Sequence, residues 1–267
     1  YKDTLTSPEG GGPFVRTGPA LSPESLSMGS LRIWGRRVQF SPSFGLGLLR
    51  AWVFAMLDEE EVELNEVDDW EALGVELANN GGTKTLDLTG SNLTNEGAAF
   101  LAEGLKMNTA LHTLRLESAS IEDEGAGSLF AALVANEGLK SLNLRGNNLG
   151  EPALESLIAA LQLNGTLQVI NLENNPLEDV NILIWMKLAA TIQKNTSLHD
   201  LRIEATEERA APLAMITKST KRNRAAARAT ASERLNQIRQ MQADKKAQEA
   251  KDPDKEKSRK VRSFRLR

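Results

Sequence analysis

A 28-residue repeat in the middle of the chain constrains the fold more than any other feature of the sequence. The pattern L-x-x-L-x-L-x-x-N-x-L occurs at residues 139–149 and, with one Ile for Leu, at residues 167–177. Looser copies begin at Thr83 and Leu111, and a partial copy begins at Leu198. The first four copies start 28 residues apart, and the last follows after 31. Such self-similarity indicates a solenoid built from stacked units.

The segment before each copy repeats as well. An asparagine stands three residues ahead of each start, at Asn80, Asn108, Asn136, Asn164 and Asn195. Apolar residues lie seven and three positions before each asparagine, a spacing that keeps both side chains on one face of a helix. Each unit therefore reads as a helix followed by a strand. We expect the asparagine to adopt the left-handed conformation that ends many helices.

The strand half of each unit explains why the units must stack. In L-x-L the two leucines share the buried face, while the residue between them points away from the core. One unit cannot cover its own apolar face, so neighbouring strands form a parallel sheet with the helices outside. The predicted fold is therefore α/β: a short right-handed solenoid of about five units, with an extended N-terminal arm and a C-terminal helix. Ala119 replaces the consensus asparagine, which predicts a loose or hydrated turn there.

These units resemble leucine-rich repeats of the ribonuclease-inhibitor class, and residues 92–105 are a close example. More narrowly, residues 70–240 resemble the C-terminal domain of tropomodulins and leiomodins. In particular, residues 167–234 contain a strand, a longer helical segment, a last strand and the basic segment 221–224. The resemblance implies binding to the pointed end of actin filaments. Residues 1–57 depart from it, because they are rich in Gly, Pro and Ser and do not read as the amphipathic segments that precede the repeats in those families.

Charge and composition divide the chain into five segments. Residues 1–57 form a docking arm, 58–69 an acidic linker, 70–217 the repeat domain, 218–251 a basic helix and 252–267 a basic tail. The net charge of −4 therefore hides two opposed blocks, which are typical of solvated or partner-binding segments. The acidic run at 58–76 is interpreted as a solvated cap of the first helix. The alternative is docking to a basic partner, including the chain's own tail.

The arm carries aromatic side chains that could anchor it to another subunit. Residues 31–40 partly alternate and could add a strand to the sheet of a partner. The arm also contains few acidic residues, which leaves an organelle-targeting segment open as an alternative. The predicted anchors are Trp34, Phe40, Trp52 and Phe54.

Nothing in the sequence favours catalysis. The chain contains no cysteine, and neither a glycine-rich phosphate loop nor a metal-ligand cluster is recognisable. His112 and His199 occupy the same slot of their repeats, which indicates strand-edge positions rather than acid–base catalysis. We therefore expect no enzymatic activity, cofactor or metal. No apolar run reaches the length of a bilayer span, and an intracellular location, cytoplasmic or cytoskeletal, is favoured with an organelle as the alternative.

The residues between and after the strand leucines form the predicted concave face of the solenoid. Its charged side chains either pair with each other or form a polar surface for a partner. Trp185 and Met186 are interpreted as packing under the C-terminal segment rather than as an exposed anchor. The predicted concave-face residues are Asp87, Arg115, Asn143, Asn171, Arg202, Glu117, Arg145 and Glu173.

The C-terminal segment supplies a second candidate surface, which could contact protein or the phosphate backbone of RNA. Its candidate residues are Lys221, Arg222, Arg224, Arg228, Arg259, Lys260 and Arg262. Taken together, the sequence predicts a non-enzymatic interaction scaffold that is a structural subunit of a large assembly and binds other protein subunits. The alternatives are a tropomodulin-like actin pointed-end binding protein and a ribonucleoprotein subunit.

Overall fold

The computed structural model describes residues 30–33, 36–39, 61–64, 67, 69–79, 81–204 and 206–250, with side chains from residue 61 to residue 246. Strands and helices alternate along the repeats, as the sequence predicts. The strands are β1 (Ser30–Ile33), β2 (Arg36–Gln39), β3 (Glu61–Leu64), β4 (Thr85–Asp87), β5 (Thr113–Arg115), β6 (Ser141–Asn143), β7 (Val169–Asn171) and β8 (Asp200–Arg202). The helices are α1 (Trp70–Ala78), α2 (Thr94–Met107), α3 (Asp123–Ala135), α4 (Glu151–Leu163), α5 (Ile182–Lys194) and α6 (Ala210–Ala250), with a short 3-10 turn at Glu207–Arg209.

The described strands form one sheet in the order β2-β1-β3-β4-β5-β6-β7-β8. β3 to β8 are parallel, and the central leucine of each strand lies opposite that of the next, from Leu86 to Leu114, Leu142, Ile170 and Leu201. β1 pairs antiparallel with both β2 and β3. The predicted parallel sheet is confirmed, and residues 30–33 and 36–39 extend it at one end as an antiparallel hairpin.

The acidic segment contains a strand that the repeat pattern does not predict. β3 has the sequence Glu-Val-Glu-Leu, and Val62 and Leu64 are buried on the face shared with the leucines of β4. Strict alternation of period two makes this a half-buried strand despite its charge. The parallel sheet therefore has six strands rather than five. Asp69, in the same acidic segment, caps α1 by accepting a hydrogen bond from the Ala72 amide at 2.8 Å.

One continuous core runs through the stacked units, because each unit places its leucines against those of the next. The strand leucines and the predicted helix positions are almost fully buried, including Leu101, Leu129, Leu157 and Leu188. A single core of this kind makes each repeat depend on its neighbours. None of the described helices is long and apolar enough to cross a membrane.

Four of the five asparagines after the helices do not adopt the left-handed conformation, so that prediction is wrong for them, while Asn80 lies outside the described residues. Asn108, Asn136, Asn164 and Asn195 all have extended backbones, with φ between −81° and −68°. The chain leaves each helix directly in the direction of the next strand, and the side-chain amide satisfies the backbone groups exposed there. Positive φ occurs instead in the turns after β4, β5, β6 and β7, at Gly90, Ser118, Gly146 and Asn174.

These buried asparagines link consecutive repeats in a row that we call the asparagine ladder, composed of Asn108, Asn136, Asn164 and Asn195. Asn136 Nδ2 donates to the carbonyl oxygens of Leu105 and Asn108, both at 2.6 Å. Its Oδ1 accepts from the Leu139 amide of its own repeat at 2.7 Å. The other three members likewise donate to the preceding unit and accept from the first leucine amide of their own repeat.

A second set of asparagines holds the turns after the strands. Asn147 Oδ1 accepts from the amides of Ala119 and Ile121, each at 3.1 Å, and Asn147 Nδ2 donates to the Leu116 carbonyl at 2.8 Å. The turn at Ala119 is therefore tied to the next repeat, and Ala119 itself is fully buried. The loose turn predicted there does not occur, because the two carbonyls that an asparagine at this position would reach, those of Leu88 and Leu116, accept bonds from Ser91 Oγ and Asn147 Nδ2 instead.

The helix starts are also fixed across the repeats. Asn95 Oδ1 accepts from the Glu122 and Gly125 amides at 3.0 and 3.1 Å, which caps the following helix. Asp123 Oδ1 does the same for the Gly150 amide at 2.7 Å. Unpaired amides at a helix start favour such acceptors. Asn95 and Asp123 thus fix the starts of α3 and α4 from the preceding repeat.

The end of the solenoid is closed by α6, a helix of 41 residues. Its first half packs against α5 and β8, and Ile216, Ser219, Thr220 and Asn223 are buried there. Asn223 Nδ2 donates to the carbonyls of Asn195 and Leu198, both at 2.9 Å. Asn223 lies 28 residues after Asn195, so a helical residue takes the next position of the asparagine ladder.

Trp185 is fully buried in α5 beneath the segment that leads into α6. The Arg209 guanidinium carbon lies 4.9 Å from the centre of its ring, and Arg209 itself is only 5% exposed. This cation–π contact confirms that Trp185 packs under the C-terminal segment. Met186 is different, because 43% of it remains exposed.

Candidate functional site

The concave face consists of side chains that the strands carry on the side opposite the leucines. Strand register places its central residues in one row, in the order Asp87, Arg115, Asn143, Asn171 and Arg202. Adjacent strands of a sheet lie about 4.8 Å apart, so side chains in such a row are in reach of each other. The structure therefore brings together the residues that the sequence predicts for this face.

Arg115 forms the first charged cluster of the concave face. Its Nη1 lies 3.1 Å from Asp87 Oδ2 and 3.3 Å from Glu61 Oε1 of β3. The hydrogen bond with Asp87 is the main reason why the pKa of Arg115 lies above its ordinary value, although desolvation opposes the rise. The Arg115 side chain nevertheless remains 43% exposed, so it is paired and accessible at the same time.

Arg145 forms the second cluster, one repeat further on. Its Nη1 lies 3.3 Å from Glu117 Oε1, and Asn143 Nδ2 donates to the same carboxylate at 3.3 Å. The side chain of Asn174 links Arg145 to Glu204. Its amide nitrogen donates to Glu204 Oε1 at 2.9 Å, and its amide oxygen accepts from Arg145 Nη2 at 3.2 Å. Glu117 and Arg145 thus pair with each other, which is one of the two alternatives that the sequence left open for this face.

Glu173 does not join that cluster through an ion pair with Arg145, and among the described residues it forms no ion pair. Asn171 is 92% buried, and its Oδ1 accepts from the Glu173 amide at 3.0 Å. Asn143 makes the same bond to the Arg145 amide at 3.1 Å. These two asparagines fix the turns, whereas the exposed charges lie beside them.

Arg202 and its neighbours end the concave face at β8. Arg202 Nε lies 3.3 Å from Asp200 Oδ2, and 56% of its side chain is exposed. Arg224 of α6 reaches the same carboxylate at 3.4 Å and donates to the His199 carbonyl at 3.1 Å. Burial lowers the pKa of His199, and the positive charge of Arg224 lowers it further. The other histidine, His112, contacts the Ala110 carbonyl through its ring nitrogen Nδ1.

The predicted basic surface is divided between structural and exposed residues. Arg222 donates to the carbonyls of Gln193 and Asn195, at 3.1 and 3.3 Å, so it closes the end of the solenoid together with Arg224. Lys221 and Arg228 are exposed on α6. Arg259, Lys260 and Arg262 lie outside the described residues, as do the predicted anchors Trp34, Phe40, Trp52 and Phe54.

Sequence reasoning missed Asn223 and Arg209 as residues that close the solenoid. The first could have been found from its spacing, since it follows Asn195 by 28 residues, the period of the repeat. The contact of Arg209 with Trp185 has no such periodic signal. In the part of the chain that the structure describes, no group of three or more acidic or histidine side chains could hold a metal ion.

Comparison with known proteins identifies the repeat and the fold. Residues 84–102 and 135–157 match the family model described as Leucine Rich repeat. No curated protein sequence matches the chain. Both stretches fall in units that the sequence pattern identified, so the predicted leucine-rich repeat is confirmed.

Solved structures are similar to a larger share of the chain. Leiomodin-1 Actin-Binding Site 2 is 24% identical, with a TM-score of 0.53, over 63% of this chain and 95% of that one. The C-terminal domain of tropomodulin from Caenorhabditis elegans is 18% identical, with a TM-score of 0.49, over 70% and 98% of the two chains. The Chaetomium Mex67:Mtr2 structure is 19% identical, with a TM-score of 0.35, over 64% and 99%. The fold of the leiomodin-1 domain thus confirms the predicted resemblance to a repeat domain of this kind.

Proposed function

We propose that this chain, a leucine-rich-repeat protein by its sequence and its fold, is a non-enzymatic scaffold that binds other proteins through its concave face. The observation that carries the proposal is a row of charged side chains that are exposed and yet held in place. Arg115, Arg145 and Arg202 each bond to a carboxylate, while 43%, 44% and 56% of their side chains remain exposed.

Such an arrangement suits recognition of a polar partner. Ordering a free, rotamer-rich side chain at an interface costs about 0.5–1.5 kcal/mol, and part of this cost is already met when intrachain bonds hold the side chain. The alternation of acids and bases along the strands also restricts which partner surface is complementary. The proposed mechanism is therefore rigid presentation of a charge pattern by the sheet.

Membership in a large assembly is the further part of this proposal. It is supported by the long segments on both sides of the repeats. Their composition contains too few apolar residues for a core of their own, which favours folding against partners. The described hairpin β1–β2 extends the sheet at one end, and α6 extends beyond the repeats at the other. A structural subunit with two such ends can join several partners.

The experiment is affinity purification with charge-reversed chains. We compare Arg145→Glu with Arg202→Glu, on the concave face, against Lys187→Glu with Lys194→Glu, two exposed positions of α5 on the opposite side. Each double variant changes the charge equally, and circular dichroism checks that both fold. Partners should be lost from the first chain and retained by the second. Equal recovery by both chains would exclude the concave face.

A second candidate is binding of actin, which is favoured by the fold of the leiomodin-1 domain described as Actin-Binding Site 2. The test is elongation of actin filaments whose barbed ends are blocked. Inhibition of elongation at micromolar concentrations of the chain would support this candidate. Unchanged elongation would exclude capping of the pointed end.

The remaining alternative is contact with the RNA backbone. Two of the basic residues that α6 could offer to RNA, Arg222 and Arg224, already bond to carbonyls within the chain, which weakens this alternative. A test by deletion must spare these residues, since they close the solenoid. Removal of residues 252–267 should abolish a salt-dependent RNA shift if this alternative holds. If the full chain causes no shift in the mobility of RNA, this alternative is excluded.

A further inference from the structure

The two halves of α6 have different surroundings. Its first half covers the end of the solenoid, whereas every described side chain after Ala227 is exposed. At 1.5 Å per residue, the segment from Arg224 to Lys246 projects by about 33 Å. We call this segment, residues 225–246, the overhang.

The direction of the overhang follows from two contacts of α6. Arg209, just before the helix, lies over Trp185 near the start of α5, and Asn223 bonds to Asn195 just beyond the end of α5. The two helices therefore run side by side in the same direction. The overhang continues past the end of α5, on the side of the solenoid where the helices finish.

One face of α6 is shared by both halves. The inward-facing residues of the first half, such as Ile216, Thr220 and Asn223, follow each other at steps of three and four. The same steps continue through Ala227 and Ala231 to Ile238, so these residues lie on the same side of the helix. The face that covers the solenoid thus continues beyond it without a partner in the described chain.

This continued face is apolar at its centre. A shallow groove of about 480 Å³ is lined by Ala227, Thr230, Ala231, Arg234, Leu235 and Ile238. Leu235, Ile238 and Met241 are 48%, 51% and 70% exposed. A projecting helix gains little stability from such a narrow stripe unless another element packs against it.

The charges around the groove have one sign. Arg234 lines the groove, and Lys245 lies two turns beyond Ile238 on the same face. Among the side chains described up to residue 246, no carboxylate lies on this face. The acids of the overhang, Glu233 and Asp244, point about 140° and about 120° away from Ile238 around the helix.

We propose that this face of the overhang binds an acidic amphipathic helix supplied by another protein. Such a helix would bury an apolar stripe against Leu235 and Ile238 and place carboxylates near Arg234 and Lys245. The inference deepens the proposed scaffold function and rests on it, since it names a second surface and the chemistry of its partner.

Two other occupants fit less well. A second copy aligned on this face would bring Arg234 against Arg234 in a parallel pair, or against Lys245 in an antiparallel one. RNA would leave Leu235, Ile238 and Met241 without matching chemistry, because these side chains cannot stack on bases as aromatic residues do. An acidic helix complements both the charge and the apolar stripe.

The test measures binding of a designed peptide to the full chain by fluorescence anisotropy. The probe is a labelled helical peptide with leucines along one face and glutamates on both sides of them, and its counterpart carries lysines instead of glutamates. The glutamate peptide should bind and the lysine peptide should not. Leu235→Gln with Ile238→Gln should weaken binding about tenfold or more, as removal of apolar interface anchors does.

The matched control separates the groove from general charge. Arg234→Gln should weaken binding several-fold, whereas Arg239→Gln removes the same charge outside the groove, about 140° around the helix from Arg234, and should weaken binding less. Equal losses from both variants, with no effect of the double glutamine variant, would overturn the proposal in favour of nonspecific anion binding. An oligouridine that binds with the same dependence on Leu235 and Ile238 would also overturn it.

Sedimentation of the chain alone tests the remaining occupant. Dimerisation that disappears in the Leu235→Gln, Ile238→Gln chain would assign the face to a second copy and overturn the proposal. Failure of the glutamate peptide to bind would overturn it as well. Neither result bears on the concave face, whose own test uses residues of β8 and of the turn after β6, so the two proposals fail separately.

Discussion

The asparagine ladder and the concave face both run the length of the repeats, but they lie in opposite environments. Asn108, Asn136 and Asn164 are at most 5% exposed and bond mainly to backbone groups. Arg115 and Arg145 bond to side chains and keep over two fifths of their side-chain surface in solvent. The same periodicity thus produces one buried row that bonds to the backbone and one row of charged side chains that stays accessible to solvent.

The largest expected effect comes from the middle of the asparagine ladder. Asn136→Ala removes hydrogen bonds to Leu105, Asn108 and Leu139 and leaves buried backbone groups without partners. Since each unsatisfied buried group costs about 1–3 kcal/mol, the free energy of unfolding should fall by about 3 kcal/mol or more. Denaturant unfolding measures it. The exposed neighbour Glu137 is the control, and Glu137→Ala should change the value by about 0.5 kcal/mol at most.

A smaller effect is expected at the end of the ladder. Asn223→Ala removes two donated hydrogen bonds, to the carbonyls of Asn195 and Leu198. The loss should be about 1–2 kcal/mol, because Arg222 still donates to the Asn195 carbonyl and only the Leu198 carbonyl loses this donor. Hydrogen exchange should become faster in β8 and the first half of α6 but not in β5. Asn236→Ala on the overhang is the control, and equal effects of the two variants would contradict the role of Asn223.

The concave face should contribute much less to stability. Arg145→Gln removes a half-exposed ion pair with Glu117, and such pairs contribute about 0–1 kcal/mol. The free energy of unfolding should therefore change by about 1 kcal/mol at most, and less at high salt. Thermal unfolding at two salt concentrations measures this. A loss as large as that of Asn136→Ala would remove the distinction between the two rows.

The smallest effect concerns pH at the end of the concave face. Burial and Arg224 lower the pKa of His199, so the unfolded chain binds a proton more readily than the folded one. Stability should therefore decrease as the pH falls below the ordinary histidine pKa of about 6.5. In Arg224→Gln the pKa of His199, followed by NMR titration, should rise but stay below that ordinary value because burial persists. An unchanged pKa would show that Arg224 has no influence.

The sequence predicted the repeat, the layers and the composition of the concave row, because those depend on local periodicity. It did not predict the conformation of the ladder asparagines, since the bonds that decide it cross from one repeat to the next. β3 was missed because two glutamates obscure the alternation that buries Val62 and Leu64. The pairing of Arg145 with Glu117 rather than Glu173 depends on side-chain geometry, which spacing alone does not specify.

The ends of the chain show the same limit in another way. Arg222 and Arg224 lie in a segment whose composition is that of a free basic tail, yet both donate hydrogen bonds to carbonyls at the end of the solenoid. Sequence composition does not distinguish a cation that meets a partner from one that meets a backbone carbonyl of its own chain. The spacing of Asn223 does carry that information, because it repeats the period of the ladder.

The most direct test of the account measures stability and partner recovery on the same chains. The chains are wild type, Arg145→Glu with Arg202→Glu, and Lys187→Glu with Lys194→Glu, and unfolding is recorded before each purification. The account predicts three folded chains of similar stability, with partners lost only from the concave-face variant. Full recovery of partners by a folded concave-face variant would contradict it.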